Sequence, residues 1–187
     1  MGKVTDYAQF TKLRLSALVV FSAIIGYVIA VEELKIAANW LEMTMLFVGG
    51  FLVTGASNGF NQVIEREYDK LMPRTATRPI PTGRMTPSEG MTVATFCAIT
   101  GVALLWIFVN PLSAILSVIA LLLYVFAYTP MKRVSPWAVF IGAFPGAVPP
   151  MLGWVAATPD FGFIGTNALL LFAVQFMWQF PHFWAIA

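Results

Sequence analysis

Apolar residues gather in six blocks along the chain, at about residues 15–31, 43–64, 91–109, 112–128, 137–157 and 166–187. Each is near the ~20 residues that a helix needs to cross a hydrocarbon core. Polar stretches separate them: residues 32–42, a long hydrophilic segment at 65–90, a tight Asn110-Pro111 turn, and loops at 129–136 and 158–165. No repeat or low-complexity segment interrupts the series. The pattern predicts an all-α, polytopic transmembrane helical bundle, a single domain over residues 1–187.

Composition supports lipid as the solvent. Hydrophobic residues make up 59% of the chain and charged residues 11%, against about 25% charged in a soluble domain. Residues 1–14 are short and polar. They carry neither a convincing A-x-A-type cleavage site after the first apolar block nor the Arg- and Ser-rich character of a transit peptide. The first block is therefore expected to stay in the membrane as a helix. The single cysteine, Cys97, lies in an apolar run, which excludes an intrachain disulfide and Cys-based zinc motifs.

Charge then orients the bundle. Six crossings put Lys3, Lys12, Arg14, Arg66, Lys70, Arg74, Arg78, Arg84, Lys132 and Arg133, ten of the 11 basic residues, on the side of the N-terminus. Lys35 lies opposite, with Glu32, Glu33, Glu42 and Asp160. The positive-inside rule places the N-terminus and both basic loops in the cytoplasm. The expected location is a bacterial cell (inner) membrane, with the lipid bilayer as surrounding partner and no nucleic-acid partner.

The stretch from Asn58 to Gly83 carries the candidate chemistry. Asn61, Glu65 and Asp69 recur every four residues, which puts them on one stripe of a helix with ~6 Å of rise per step. Oxygen donors so stacked suit Mg²⁺, which takes one or two carboxylates, keeps water and bridges to phosphates. Lys70, Arg74, Arg78 and Arg84 follow, and Lys132 and Arg133 sit on the next loop of the same face. Guanidinium forks bind phosphate oxygens in pairs. Carboxylates for a metal beside cations for an anion describe a site for a diphosphate–metal complex. A solvated helix end with ordinary ion pairs and lipid-facing arginines produces the same spacing, so periodicity alone leaves both readings open.

Resemblance separates them. The run Asn61-x-x-x-Glu65-x-x-x-Asp69 resembles the first acidic motif of the UbiA-type intramembrane prenyltransferases. Its continuation Met72-x-Arg74-Thr75-x-x-Arg78-Pro79 resembles the haem-farnesylating branch of that superfamily. Further similar segments are Thr11-Lys12-Leu13-Arg14, Tyr128-Thr129-Pro130-Met131-Lys132-Arg133, residues 142–154 (GAFPGAVPPMLGW) and residues 178–184 (WQFPHFW). Leu13 stands where many members have proline. Glu65 stands where many have aspartate, one carbon longer with the charge kept.

The resemblance implies transfer of the farnesyl group of farnesyl diphosphate to a vinyl group of haem B, giving haem O and diphosphate. It assigns Mg²⁺ to Asn61, Glu65 and Asp69, and the diphosphate to Arg74, Arg78, Lys132 and Arg133. It also implies six helices here of an expected nine and a second acidic motif beyond the sixth. The chain is thus expected to be the N-terminal two thirds of the domain, C-terminally truncated, and inactive alone. A haem A synthase or oxidase assembly partner is a further implied contact. His182, the one histidine, can ligate haem iron or hydrogen-bond within a bundle; the haem substrate makes it a candidate haem contact. Gly142, Pro145, Gly146, Pro149, Pro150 and Gly153 in the fifth block fit either close helix packing or a cavity lining. Two other classes stand beside this one. One is a UbiA-type enzyme for a quinone precursor or chlorophyll-like acceptor. The other is a transporter or scaffold, which would show no Mg²⁺ dependence.

Overall fold

The computed structural model describes residues 2–186, apart from the Ile186 side chain. A short helix, α1 (Lys3–Phe10), leads into α2 (Leu13–Leu34) and α3 (Trp40–Ile64). After α4 (Arg66–Asp69) the chain turns repeatedly before α5 (Pro87–Phe108). Next, α6 (Pro111–Leu122) runs through a π-helical turn, Leu123–Tyr128, into α7 (Thr129–Met131). It is followed by α8 (Ala138–Ala156) and α9 (Thr166–Ile186). No strand occurs among the described residues.

Caps, rather than hydropathy, set several helix ends. The Asn39 side chain accepts from Leu41 and Glu42 N–H, and that of Thr86 accepts from Glu89 N–H ahead of Pro87. Asn110 accepts from Ser113 N–H ahead of Pro111. Each satisfies an otherwise unpaired donor, and proline suits the first helical position. Helices α3 and α5 therefore begin at Trp40 and Pro87, before the apolar blocks expected from 43 and 91.

Among the described residues, five helical stretches are long and apolar enough to cross a membrane: Leu13–Leu34, Trp40–Ile64, Pro87–Phe108, Pro111–Met131 and Ala138–Ala156. Helix α9, which carries Gln175, Gln179, Pro181 and His182, is a sixth long helix outside that set. Exposed Leu18, Phe21, Phe96, Ile99 and Ile107 give the bundle an apolar outer surface. The chain is a multi-pass membrane protein.

Helix α8 is the most enclosed span and packs on α2, α6 and α9. A Cβ on Gly153 would lie 1.8 Å from the Ala23 carbonyl oxygen, and one on Gly26 2.1 Å from that of Pro150. Only glycine lets these two backbones meet. Pro145, Pro149 and Pro150 lie inside α8; neighbouring helices shield the carbonyls their rings leave unpaired. The main core gathers Tyr27, Leu46, Leu105, Met151 and Trp154. A second cluster, Phe10, Val63, Ile80, Met85 and Ala94, joins α1, the end of α3, the loop and α5.

Candidate functional site

The acidic stripe lies where α3 ends. The helix breaks at Glu65, yet the four-residue repeat survives. Glu65 N–H donates to the Asn61 carbonyl at 2.9 Å, and Asp69 N–H to the Glu65 carbonyl at 2.9 Å. Asn61, Glu65 and Asp69 are all buried, at 2%, 6% and 1% exposure. Buried carboxylates need partners, and here those partners are the cations that the sequence assigns to diphosphate. Lys132 Nζ donates to Glu65 Oε2 and Arg133 Nε to Glu65 Oε1 at 3.2 Å. Arg78 Nη1 donates to Asp69 Oδ2 at 2.7 Å. Asn61 Nδ2 donates to Glu65 Oε2 at 2.8 Å and to Thr129 Oγ1 at 3.3 Å, leaving Oδ1 as its acceptor.

Local structure explains the convergence. The π-helical turn adds a residue to the normal repeat just before Thr129, a feature frequent at functional sites. Thr129 Oγ1 in turn donates to the Tyr124 carbonyl at 2.8 Å. The turn thus swings Lys132 and Arg133 over Glu65. Arg133 also stacks on Tyr68, 4.1 Å from the ring centroid. Thr75 Oγ1 donates to the Asp69 carbonyl at 2.9 Å and pins the start of the loop.

Two basic residues of the run make no contact with the acidic stripe among the described residues. Arg74 is exposed at the rim and makes no salt bridge to the stripe among the described residues. Arg84 turns away, to Asp6 on α1 at 2.7 Å. One residue was overlooked: Lys12, between α1 and α2. Burial lowers its ammonium to about 8, with Arg78 and Lys132 adding repulsion and Asp69 and Glu65 opposing it. Its backbone sits in the left-handed region at φ 49°, uncommon for a residue with a Cβ and often found at functional sites. That positive φ is invisible in the sequence; only its membership of the Thr11–Arg14 motif pointed there.

Four cations, Lys12, Arg78, Lys132 and Arg133, thus face two carboxylates. The excess is positive and suits an anion of several charges. Two carboxylates and one amide oxygen are hard donors. They fit Mg²⁺, which completes its shell with water and phosphate oxygens. No group of three or more His, Cys, Asp or Glu side chains forms a metal cage among the described residues.

Beside the stripe opens a cavity of about 470 Å³. Its polar lining includes Asn58, one turn before Asn61, with Tyr124, Tyr128, Gln179 and His182; the rest is largely apolar. Gly142, Pro145, Gly146 and Pro149 line it from α8, while Gly153 and Pro150 meet α2. The small residues and prolines of that helix therefore both pack and line. Gln179 is tied to the Ala143 carbonyl at 2.9 Å. His182 lies on the cavity wall, exposed, edge-to-face with Phe183 at 6.0 Å between ring centroids.

Comparison with known proteins agrees with this arrangement. The UbiA prenyltransferase family profile matches residues 19–187. A protoheme IX farnesyltransferase of Flavobacterium psychrophilum is 48% identical over 97% of this chain and 59% of its own length. One of Cytophaga hutchinsonii is 48% identical over 97% of this chain and 61% of its own. The chain thus spans about three fifths of these relatives. A structure of digeranylgeranylglyceryl phosphate synthase superposes with a TM-score of 0.82 at 22% identity, covering 96% of this chain and 60% of that one. A UbiA homologue from Aeropyrum pernix K1 superposes at 0.73 with 19% identity, covering 89% and 60%. At those identities the two structures speak for the fold alone.

Proposed function

The chain belongs to the UbiA prenyltransferase family, and we propose that this protein transfers the farnesyl group of farnesyl diphosphate to a vinyl group of haem B, with a water adding to the vinyl carbon left cationic, yielding haem O, diphosphate and a proton. The observation that carries the reading is the charge-paired cluster at the end of α3, near an apolar cavity that Asn58 of the same helix lines. Relatives named for this activity, at 48% identity, point to the acceptor.

Asn61 Oδ1, Glu65 and Asp69 would hold Mg²⁺, which supplies charge neutralisation of the diphosphate when bound. Glu65 and Asp69 would serve the metal, and Arg78, Lys132 and Arg133, joined by Lys12, would serve phosphate oxygens. Arg74 would close from the rim. The leaving diphosphate then parts from the farnesyl carbon with its charge already met, by electrostatic stabilisation that costs no reorganisation. The farnesyl chain lies in the cavity, where bulk water is excluded and the Tyr124 and Tyr128 faces flank the developing allylic cation. His182, on the same wall, contacts the haem. The charge distribution supports a site on the cytoplasmic side of a bacterial inner membrane. A haem A synthase or an oxidase under assembly would take the product.

The test is product formation in membranes holding the full-length protein, with haem B, farnesyl diphosphate and Mg²⁺. A farnesylated haem found by mass is the expected result. It should disappear with chelator and fall at least ~100-fold in Asp69→Asn. A folded protein that binds diphosphate but leaves haem untouched would overturn the acceptor and keep the prenyl donor. Activity indifferent to both chelator and Asp69→Asn would overturn the site.

A further inference from the structure

Helix α1 is fastened to the loop that carries Arg78, and the fastening is polar, specific and partly buried. Asp6, at 3% exposure, is a carboxylate placed under the protein surface. Its partner is Arg84, whose Nε donates to Asp6 Oδ1 at 2.7 Å. The same guanidinium forks. One Nη2 contact goes to Gln9 Oε1 at 2.9 Å, and another to the Thr77 carbonyl at 3.0 Å. Thr77 is the residue before Arg78, and Arg78 pairs with Asp69. Around this fork, Phe10 fills the apolar cluster with Val63, Ile80 and Met85, so α1, the end of α3 and the loop share one core. The other edge of α1 is tied to the start of α5, where Tyr7 Oη donates to Glu89 at 2.9 Å.

We propose that α1 is a strap in which Asp6 and Arg84 act as positioning residues, fixing the backbone ahead of Arg78 so that its guanidinium faces the acidic stripe. The inference rests on the diphosphate reading of that site. A planar fork is what the arrangement uses. Arginine can hold a carboxylate and a carbonyl at once, whereas a lysine ammonium at the same place keeps the carboxylate and loses the geometry. Neither residue touches the site itself, so their effect passes through Thr77 and Arg78.

The experiment measures the affinity of the full-length protein in detergent for inorganic diphosphate with Mg²⁺, by calorimetry. The proteins are wild type, Arg78→Gln, Asp6→Asn, Arg84→Lys, Tyr7→Phe and the Asp6→Asn/Arg78→Gln double variant. Expected are a loss in Arg78→Gln and a roughly three- to tenfold loss in both Asp6→Asn and Arg84→Lys. Tyr7→Phe should match wild type, and Asp6→Asn should add nothing once Arg78 is gone. Arg84→Lys keeps the Asp6 pair, so it tests positioning even if Asp6→Asn unfolds. Wild-type affinity in Arg84→Lys, or an Asp6→Asn loss that persists in the Arg78→Gln background, overturns the strap. An Arg78→Gln protein that binds like wild type overturns the diphosphate reading instead.

Discussion

Lys12→Met should make the protein more stable and a poorer diphosphate binder at the same time. Lys12 is a half-buried ammonium among Arg78 and Lys132, lowered from its ordinary 10.5 to about 8. That depression corresponds to roughly 3 kcal/mol for carrying the charge in the folded protein at neutral pH. The cost is fully present below about pH 8, where folded and unfolded chains are both protonated. It falls away as pH rises from about 8 towards 10.5. Methionine keeps the length of the side chain without the charge, so at pH 7 the variant should be up to about 3 kcal/mol more stable. The gap should close across that alkaline window. In the same variant, one charge-assisted contact to phosphate is lost, ~1.5–3 kcal/mol, or about 10- to 100-fold in affinity. Unfolding in detergent between pH 7 and 10 reads the first effect, and titration with diphosphate and Mg²⁺ reads the second. A variant no more stable than wild type at pH 7 would refute the buried-charge argument; unchanged affinity would remove Lys12 from the site.

Gly153→Ala forces a Cβ to 1.8 Å from the Ala23 carbonyl oxygen, so α2 and α8 must part; a loss of about 3 kcal/mol or more is expected in a detergent unfolding assay. Gly50→Ala, whose Cβ would meet Val20 at 3.4 Å, is the control and should change stability by under about 0.5 kcal/mol. His182→Ala should weaken haem binding about tenfold, ~1.4 kcal/mol, in an absorbance titration. Its affinity for diphosphate should match wild type, because the histidine lies on the cavity wall and not at the stripe.

The features legible in the sequence are those written locally. Five of the six expected spans and the acidic stripe follow from hydropathy and from a four-residue repeat, and backbone hydrogen bonds carry that repeat across the break at Glu65. What a local pattern does not encode is which distant residues meet. Arg84 sits six residues after Arg78 in a basic run, so it reads as another phosphate ligand. Its partner Asp6 is 78 positions away. The cations of the second loop read as closing over an anion, and the fold pairs them with Glu65, 67 and 68 positions off. Such pairings between distant residues are set by the fold and not by the local run of charges. Lys12 was missed for a related reason: its burial and its left-handed backbone arise from α1 docking, not from its neighbours in sequence.

The glycine contact between α2 and α8 also has a consequence for biogenesis. Gly26 meets the Pro150 carbonyl, and Gly153 meets that of Ala23. Of the five spans among the described residues, the first is therefore mated to the fifth. At about 5–20 residues per second, α2 waits on the order of ten seconds for its partner. Helices α3 and α5, which approach closely at Gly49 and Gly101, can pair well before that. Insertion order and packing order differ, and a joint with little room for error has to wait for α8. Lesions at Gly26 or Gly153 should accordingly surface as protein lost during synthesis, through quality control in the membrane, before any defect in turnover can be measured.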